Sequence, residues 1–76
     1  MVRSKIKFNT VDDVKKYIAK AMMINGDIVI RHSIYVIDGK SIMGIFSLNL
    51  ESELDIEFSK LDENDLKIVD SLSLIR

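Results

Sequence analysis

A serine at position 41 stands directly before a short and almost wholly apolar segment, "IMGIFSL" at residues 42–48. A serine hydroxyl at the start of a helix accepts a hydrogen bond from a free backbone N–H group, so Ser41 is a predicted N-cap. The free N–H groups and the positive end of the helix dipole would also tolerate a phosphate on this hydroxyl. Lys40 would favour the added negative charge, and Asp38 would oppose it.

The single histidine is the second candidate for chemistry, because imidazole commonly acts as a nucleophile or an acid–base group near neutral pH. His32 stands between Arg31 and Ser33, in a polar stretch that separates two apolar runs. This pattern is typical of a hairpin turn, and we expect an exposed turn residue there. A hairpin tip rarely provides the cluster of N–H donors that a phosphohistidine needs.

Two acidic clusters resemble catalytic carboxylate pairs, Asp12-Asp13 and Asp62-Glu63 with Asp65. Each cluster stands at the predicted start of a helix, where capping and the helix dipole explain the carboxylates. The chain has no cysteine and only one histidine. We therefore predict no metal site, no cofactor and no enzymatic activity of its own.

The short apolar segment carries more large apolar side chains than one face of a short helix can bury. Ile45 and Leu48 are three residues apart and are predicted to face the core. Ile42, Met43 and Phe46 then lie partly outward and form a predicted docking surface for another protein. The alternative is that the helix packs flat and most of these side chains belong to the core. A second copy of the chain could equally cover the surface and form a homodimer.

Length and charge restrict the class of protein. With 76 residues, the chain is predicted to form one domain, 1–76. Eleven basic and twelve acidic residues are scattered and nearly cancel, so neither nucleic acid nor a membrane surface is an expected partner. No apolar run approaches the ~18–20 residues that span a bilayer. The start, "MVRSKIKF", lacks the apolar stretch of a secretory signal, and the absence of cysteine fits the cytoplasm.

Hydrophobic periodicity predicts the elements that would position these residues. Their expected order is a strand at 5–8, a helix from 11 to the Asn25-Gly26 stop, a hairpin within 28–38, a short helix at 42–48, a strand at 54–59 and a helix after Asp62. Thr10 with Asp13, and Asp62 with Asp65, have the spacing of capping boxes. This β-α-β-β-α-β-α order indicates an α+β two-layer sandwich with the helices on one face of a mainly antiparallel sheet.

The same pattern predicts which helix faces are buried. Side chains at three- and four-residue spacing are expected to face the core. In the first helix these are Val11, Val14, Ile18, Ala21 and Met22, and in the last they are Leu66, Val69 and Leu72 or Ser73.

This order of elements, together with "KSIMGIFSL" at residues 40–48, resembles the family of the histidine-containing phosphocarrier protein, HPr. The family belongs to the bacterial sugar phosphotransferase system, which drives sugar transport. The match is tightest at "KSIMG", extends from Thr10 through the second helix, and continues in pattern to the last helix. The resemblance implies an HPr-like open-faced sandwich, with four antiparallel strands and three helices on one face.

The resemblance also implies a phosphate-carrying site. The family has a histidine at the N-terminus of the first helix and an arginine two residues later. Aligned from "KSIMG", Thr10 occupies the place of the histidine, Asp12 that of the arginine, and Asp13 that of a proline that often follows. A carboxylate repels a phosphate where an arginine attracts it, and the preceding loop is several residues shorter than the family's. We therefore predict that this site does not carry phosphate.

A second family site is the serine of "KSIMG", which a dedicated kinase phosphorylates in Gram-positive relatives; here it is Ser41. The family positions that match Ile42, Met43 and Phe46 dock other proteins. We predict a non-carrier regulatory module whose partner is a phosphotransferase-system enzyme, a transcription regulator or a second copy. Two alternatives stay open: an active component of that system with its phosphate on Ser41 or, less favoured, His32, and a relic without a partner.

Overall fold

In the computed structural model, which describes residues 1–72 and 74, the chain forms a four-stranded antiparallel sheet with three helices on one face. The predicted α+β architecture is confirmed. The elements in chain order are β1 Val2–Ile6, α1 Val11–Ala21, β2 Asp27–His32, β3 Tyr35–Asp38, α2 Ile42–Phe46, β4 Leu54–Ser59 and α3 Glu63–Ser71. None of the helices described here has the length and apolar character needed to cross a membrane.

The strand order is β1-β4-β2-β3, so β1 and β3 are the two edge strands. Alternation along the strands sends one set of side chains to the helix side of the sheet. That set is apolar, and the helices bury it. Its fully buried members are Ile30, Leu54, Ile56 and Phe58.

The opposite face of the sheet is charged and exposed to solvent. Arg3 and Arg31 both reach Glu57, whose Oε1 lies 3.8 and 3.4 Å from their Nε atoms. The Lys5 ammonium lies 3.5 Å from Asp55 across the β1–β4 pair. Exposed pairs of this kind add little stability. Their charged groups interact favourably with water, so this face of the sheet needs no covering layer of helices.

The first strand begins and ends earlier than the predicted 5–8. Its pairing with β4 stops at Ile6, opposite Leu54, so Phe8 lies beyond the strand. Phe8 is nevertheless buried, because its ring packs edge-on against Tyr17 with centroids 5.3 Å apart. The alternation at 5–8 therefore includes one core residue of the strand, Ile6, and one core residue of the loop that follows it, Phe8.

The buried face of α1 consists of Val14, Tyr17 and Ala21. Val11 and Met22, which were predicted to face the core, are exposed. These three residues have the expected three- and four-residue spacing. Tyr17 was not predicted to face the core because its hydroxyl makes it less apolar than the residues that defined the pattern.

The last helix starts after Asp62, and its predicted capping box with Asp65 is confirmed. Val69 and Leu72 are buried as predicted, whereas Leu66 is exposed. The buried residue in the first turn of α3 is Asp65, where the pattern predicted burial of the neighbouring Leu66. The alternative core position, Ser73, lies outside the described residues.

The hairpin turn consists of Ser33 and Ile34, two residues that follow the end of β2. Ser33 has φ 56°, the left-handed conformation that a two-residue hairpin turn requires at its first position. His32 pairs with Tyr35, so His32 belongs to a strand and not to a turn. The prediction was wrong because a strand with one solvated face also carries polar residues such as Arg31.

Candidate functional site

Helix α2 begins on a turn that three contacts hold in place. The N–H of Gly39 donates to the Ile28 carbonyl over 2.8 Å, and the Gly39 carbonyl accepts from the Tyr17 hydroxyl over 2.8 Å. The Lys40 ammonium donates to the carbonyl of Ile24, just past α1, over 2.6 Å. Because these partners belong to β2, α1 and the segment after α1, the start of α2 is fixed relative to the rest of the fold.

The Tyr17 hydroxyl is a permanent donor in this arrangement. Burial raises the pKa of Tyr17 far above its ordinary value, and the negative charge of Asp38 raises it further. The hydroxyl therefore stays protonated at physiological pH and holds the Gly39 carbonyl.

Ser41 is the N-cap of α2, as predicted. Its Oγ accepts a hydrogen bond from the Gly44 N–H over 3.1 Å, and the side chain is half-buried. The ammonium of Lys40 would have to leave the Ile24 carbonyl in order to pair with a phosphate on Ser41. Phosphorylation of Ser41 stays a prediction.

The two sides of α2 differ in exposure in the predicted way. Ile45 and, just beyond the helix, Leu48 are buried, whereas Met43 is 81% exposed and Phe46 is 42% exposed. Ile42 is half-buried and packs against the core. The helix ends at Phe46, two residues earlier than predicted. Met43, Phe46 and the exposed part of Ile42 together form what we call the α2 surface.

Helix α2 packs against the edge strand β3 at Gly44. A Cβ at this position would be 3.5 Å from the Cβ of Ile37 in β3 and 3.2 Å from the Oγ of Ser41. A Cβ there would make only ordinary van der Waals contact with Ile37, so the packing of α2 on β3 does not depend on a glycine. This packing places the α2 surface beside one edge of the sheet.

The N-terminus of α1 already binds a carboxylate of the chain itself. Asp13 Oδ2 accepts hydrogen bonds from the N–H groups of Asn9 and Thr10, over 3.0 and 3.2 Å. In return, the Thr10 hydroxyl accepts from the Asp13 N–H over 3.0 Å, which completes the predicted capping box. Asp12 pairs with Lys16 at 3.4 Å, one turn further along α1. The N–H groups of residues 9 and 10 are thus already bound to an anion.

His32 lies away from the N-terminus of α1. It is the last residue of β2 and is half-buried. Two surface pockets flank the N-terminus of α1. Both are lined by residues 7–9, one together with residues of α1 and the other with residues 48–51, and His32 lines neither of them. The structure therefore does not bring the imidazole to the position of Thr10.

A buried carboxylate, which the sequence pattern did not reveal, joins α3 to the segment after α1. Asp65 has no exposed surface, and it accepts hydrogen bonds from the N–H groups of Asn25, Gly26 and Asp62 over 2.9, 3.0 and 3.2 Å. Burial acts to raise the pKa of Asp65, but these hydrogen bonds outweigh it and hold the pKa below its ordinary value. The spacing of Asp62 and Asp65 predicted only the local capping box, and not the hydrogen bonds to Asn25 and Gly26.

Comparison with known proteins supports the fold by structure and not by sequence. No protein-family model matches the chain, and no curated protein sequence matches it. The crystal structure of the phosphocarrier protein HPr from Bacillus anthracis is similar, with a TM-score of 0.67 and 20% sequence identity. The match covers 95% of this chain and 92% of that chain. The chain therefore has an HPr-like fold over nearly its whole length.

Proposed function

We propose that this chain is a non-carrier, protein-binding module related to the sugar phosphotransferase system, and that it docks its partner through the α2 surface. The observation that carries the proposal is the exposure of Met43 and Phe46 on a helix whose other side is fully buried. Exposed apolar side chains that lie together on a rigid element are typical of a docking site. The partner is a phosphotransferase-system enzyme, a transcription regulator or a second copy, in the cytoplasm.

The rigid start of α2 supports docking at this surface. The hydrogen bonds from Tyr17 to Gly39 and from Lys40 to Ile24 hold the helix in one position before a partner arrives. A preorganised surface loses little conformational freedom on binding, so more of its contact energy contributes to affinity. Methionine adapts its shape to different partners, which suits the exposed Met43.

The start of α1 supports the non-carrier half of the proposal. In the alignment from "KSIMG", Thr10 takes the place of the family histidine, and its hydroxyl accepts a hydrogen bond from the Asp13 N–H and is a weaker nucleophile than an imidazole. The Asp13 carboxylate holds the N–H groups of Asn9 and Thr10, and an incoming phosphate would meet this anion. Both features disfavour phosphate transfer at this helix.

A phosphotransfer assay tests the non-carrier proposal. Incubation with enzyme I and radiolabelled phosphoenolpyruvate is expected to leave the chain unlabelled, because the Asp13 carboxylate occupies the N–H groups of Asn9 and Thr10 and would repel a phosphate. The HPr of Bacillus anthracis serves as the positive control in the same mixture. Acid-labile label that disappears in His32→Ala would show that the chain is a carrier and would contradict the proposal.

A capture experiment tests docking through α2. Met43→Asp and Phe46→Asp each place a charge on the α2 surface, and we expect each to weaken partner binding by at least ~10-fold, since a buried unpaired charge is costly. The matched control is Leu66→Asp, which changes a similarly exposed apolar residue on α3. Binding is measured by titrating the captured partner. Equal binding by the wild type and all three variants would remove the basis for docking at α2.

A further inference from the structure

The open edge of the sheet along β3 carries exposed apolar side chains. Ile34 at the hairpin tip is 85% exposed, and Tyr35 and Val36 are each more than half exposed. In the described part of the chain, β3 pairs with β2 on one side and with no strand on the other. Natural proteins usually protect such an edge with charged residues, proline or a bulge, because it pairs readily with a further strand. Among residues 33–38 the only charged residue is Asp38, at the end of β3, and there is no proline.

The other edge strand, β1, carries two charged side chains, whereas β3 carries one, at its end. β1 carries Arg3 and Lys5 on its solvated face, where they pair with Glu57 and Asp55 of β4. Two cations along a short strand oppose pairing with a like strand, since the same charges would meet across the new contact. The two edges therefore differ in chemistry, and β3 is the better suited to strand pairing.

We infer that β3 pairs antiparallel with β3 of a second copy of this chain, and that the α2 surface completes the same interface; the inference rests on the proposed function, because it names the partner of that surface. The two four-stranded sheets would join into one continuous sheet across a twofold axis. Closed twofold dimers are the commonest assembly of soluble proteins.

The hairpin turn determines which backbone groups face the open edge. His32 and Tyr35 flank a two-residue turn, so they form a hydrogen-bonded pair. By alternation, the next residue, Val36, directs its N–H and C=O away from β2. A twofold axis at Val36 then joins the two copies through a reciprocal pair of hydrogen bonds.

This register brings compatible side chains together. Tyr35 of each copy stands opposite Ile37 of the other, and Val36 stands opposite its own equivalent. Asp38 falls opposite the uncharged Ile34, so no like charges meet. The nearest cation on the solvated face, Arg31 beside Val36, is on β2 and not on the pairing strand, and its Nε lies 3.4 Å from Glu57 Oε1. The net charge of −1 adds almost no long-range repulsion between copies.

The position of α2 extends the contact beyond the strand. Hydrogen-bonded strands lie ~4.8 Å apart. Because α2 packs against Ile37 of β3, pairing of the two β3 strands would bring the α2 helices of the two copies side by side. Met43 and Phe46 would then pack between the two copies.

The area available is sufficient for a specific dimer. Five side chains would be covered in each copy: Ile34, Tyr35, Val36, Met43 and Phe46. Their exposed surface is roughly 650 Å² per copy, or ~1,300 Å² for both, which lies in the range of specific protein–protein interfaces. The strand edge alone would supply little more than half of this area, so α2 is needed for stability.

Sedimentation equilibrium of the wild type, Val36→Lys and Val11→Lys tests the inference. Val11 is the matched control, since it is 58% exposed against 57% for Val36 but lies on α1. We expect a dimer for the wild type and for Val11→Lys. We expect Val36→Lys to raise the dimer dissociation constant by at least ~10-fold, because two lysines would face each other at the twofold axis.

The outcomes separate this inference from the proposed function. A wild type that sediments as a monomer at its highest soluble concentration overturns the dimer. If such a monomer still binds another protein and Met43→Asp abolishes that binding, the proposed function holds with a different partner. A dimer that Met43→Asp dissociates but Val36→Lys does not would overturn pairing at the β3 edge. A monomer that binds no protein would contradict both.

Discussion

Replacing Asp65 with alanine is expected to lower the melting temperature by at least ~10 °C at neutral pH. The buried carboxylate accepts hydrogen bonds from the N–H groups of Asn25, Gly26 and Asp62. Removing it leaves these donors without an acceptor, and Gly26 is itself buried, so water cannot readily replace the lost bond. Thermal unfolding followed by circular dichroism measures the effect.

The same carboxylate should make stability depend on acid pH. The pKa of Asp65 is lowered in the folded protein, so its ionised form stabilises the fold above the ordinary carboxyl pKa of about 3.9. That contribution declines as the pH falls below this value, and it is lost once the pH passes the folded pKa. The melting temperature of the wild type should therefore fall as the pH is lowered below about 4.

Asp65→Asn separates the charge from the shape of the side chain. We expect this variant to be less stable than the wild type at neutral pH, because an amide nitrogen would face backbone N–H donors. The difference should shrink as the pH falls below about 4, where the unfolded wild type takes up a proton and the stabilisation by the ionised carboxylate declines. Glu53→Gln, which removes a carboxylate from the exposed loop before β4, is the control. A constant difference between wild type and Asp65→Asn at every pH would exclude the ionised carboxylate as the cause.

The sequence predicted the features whose partners lie within four residues of each other. The caps at Thr10, Ser41 and Asp62 each bond to an N–H three residues later, and all three are present. The burial of Ile45 and the exposure of Met43 on α2 were also predicted from local spacing. These features depend on backbone geometry that a short segment determines by itself.

The contacts that position the candidate site could not be predicted in this way. Lys40 reaches Ile24 across 16 residues, and Tyr17 reaches Gly39 across 22. Such pairs form only when the sheet and helices have packed, so neither partner carries a local signal. His32 shows the opposite error, because its polar neighbours suggested a turn although they belong to the solvated face of β2.

Gly39 is the residue on which the position of the candidate site depends most. Its backbone is buried between Tyr17 and Ile28, and its φ is not positive, so its requirement is for space rather than for a left-handed conformation. A Cβ at this position would overlap the Ile28 side chain, with its Cβ only 2.8 Å away, and would lie 3.1 Å from the Tyr17 hydroxyl oxygen. The turn before α2 can therefore accept no side chain without moving.

Gly39→Ala is accordingly expected to destabilise the fold by about 2–3 kcal/mol, the cost of overpacking a rigid core. The matched control is Gly44→Ala, where the added Cβ meets its nearest neighbour, Ser41 Oγ, at 3.2 Å, and where alanine gains ~1 kcal/mol of helix propensity. Tyr17→Phe removes only the hydrogen bond to Gly39 and should cost about 1 kcal/mol. Urea denaturation of the three variants ranks them directly. If Gly39→Ala proves as stable as Gly44→Ala, the turn is not the rigid support that docking through Met43 requires.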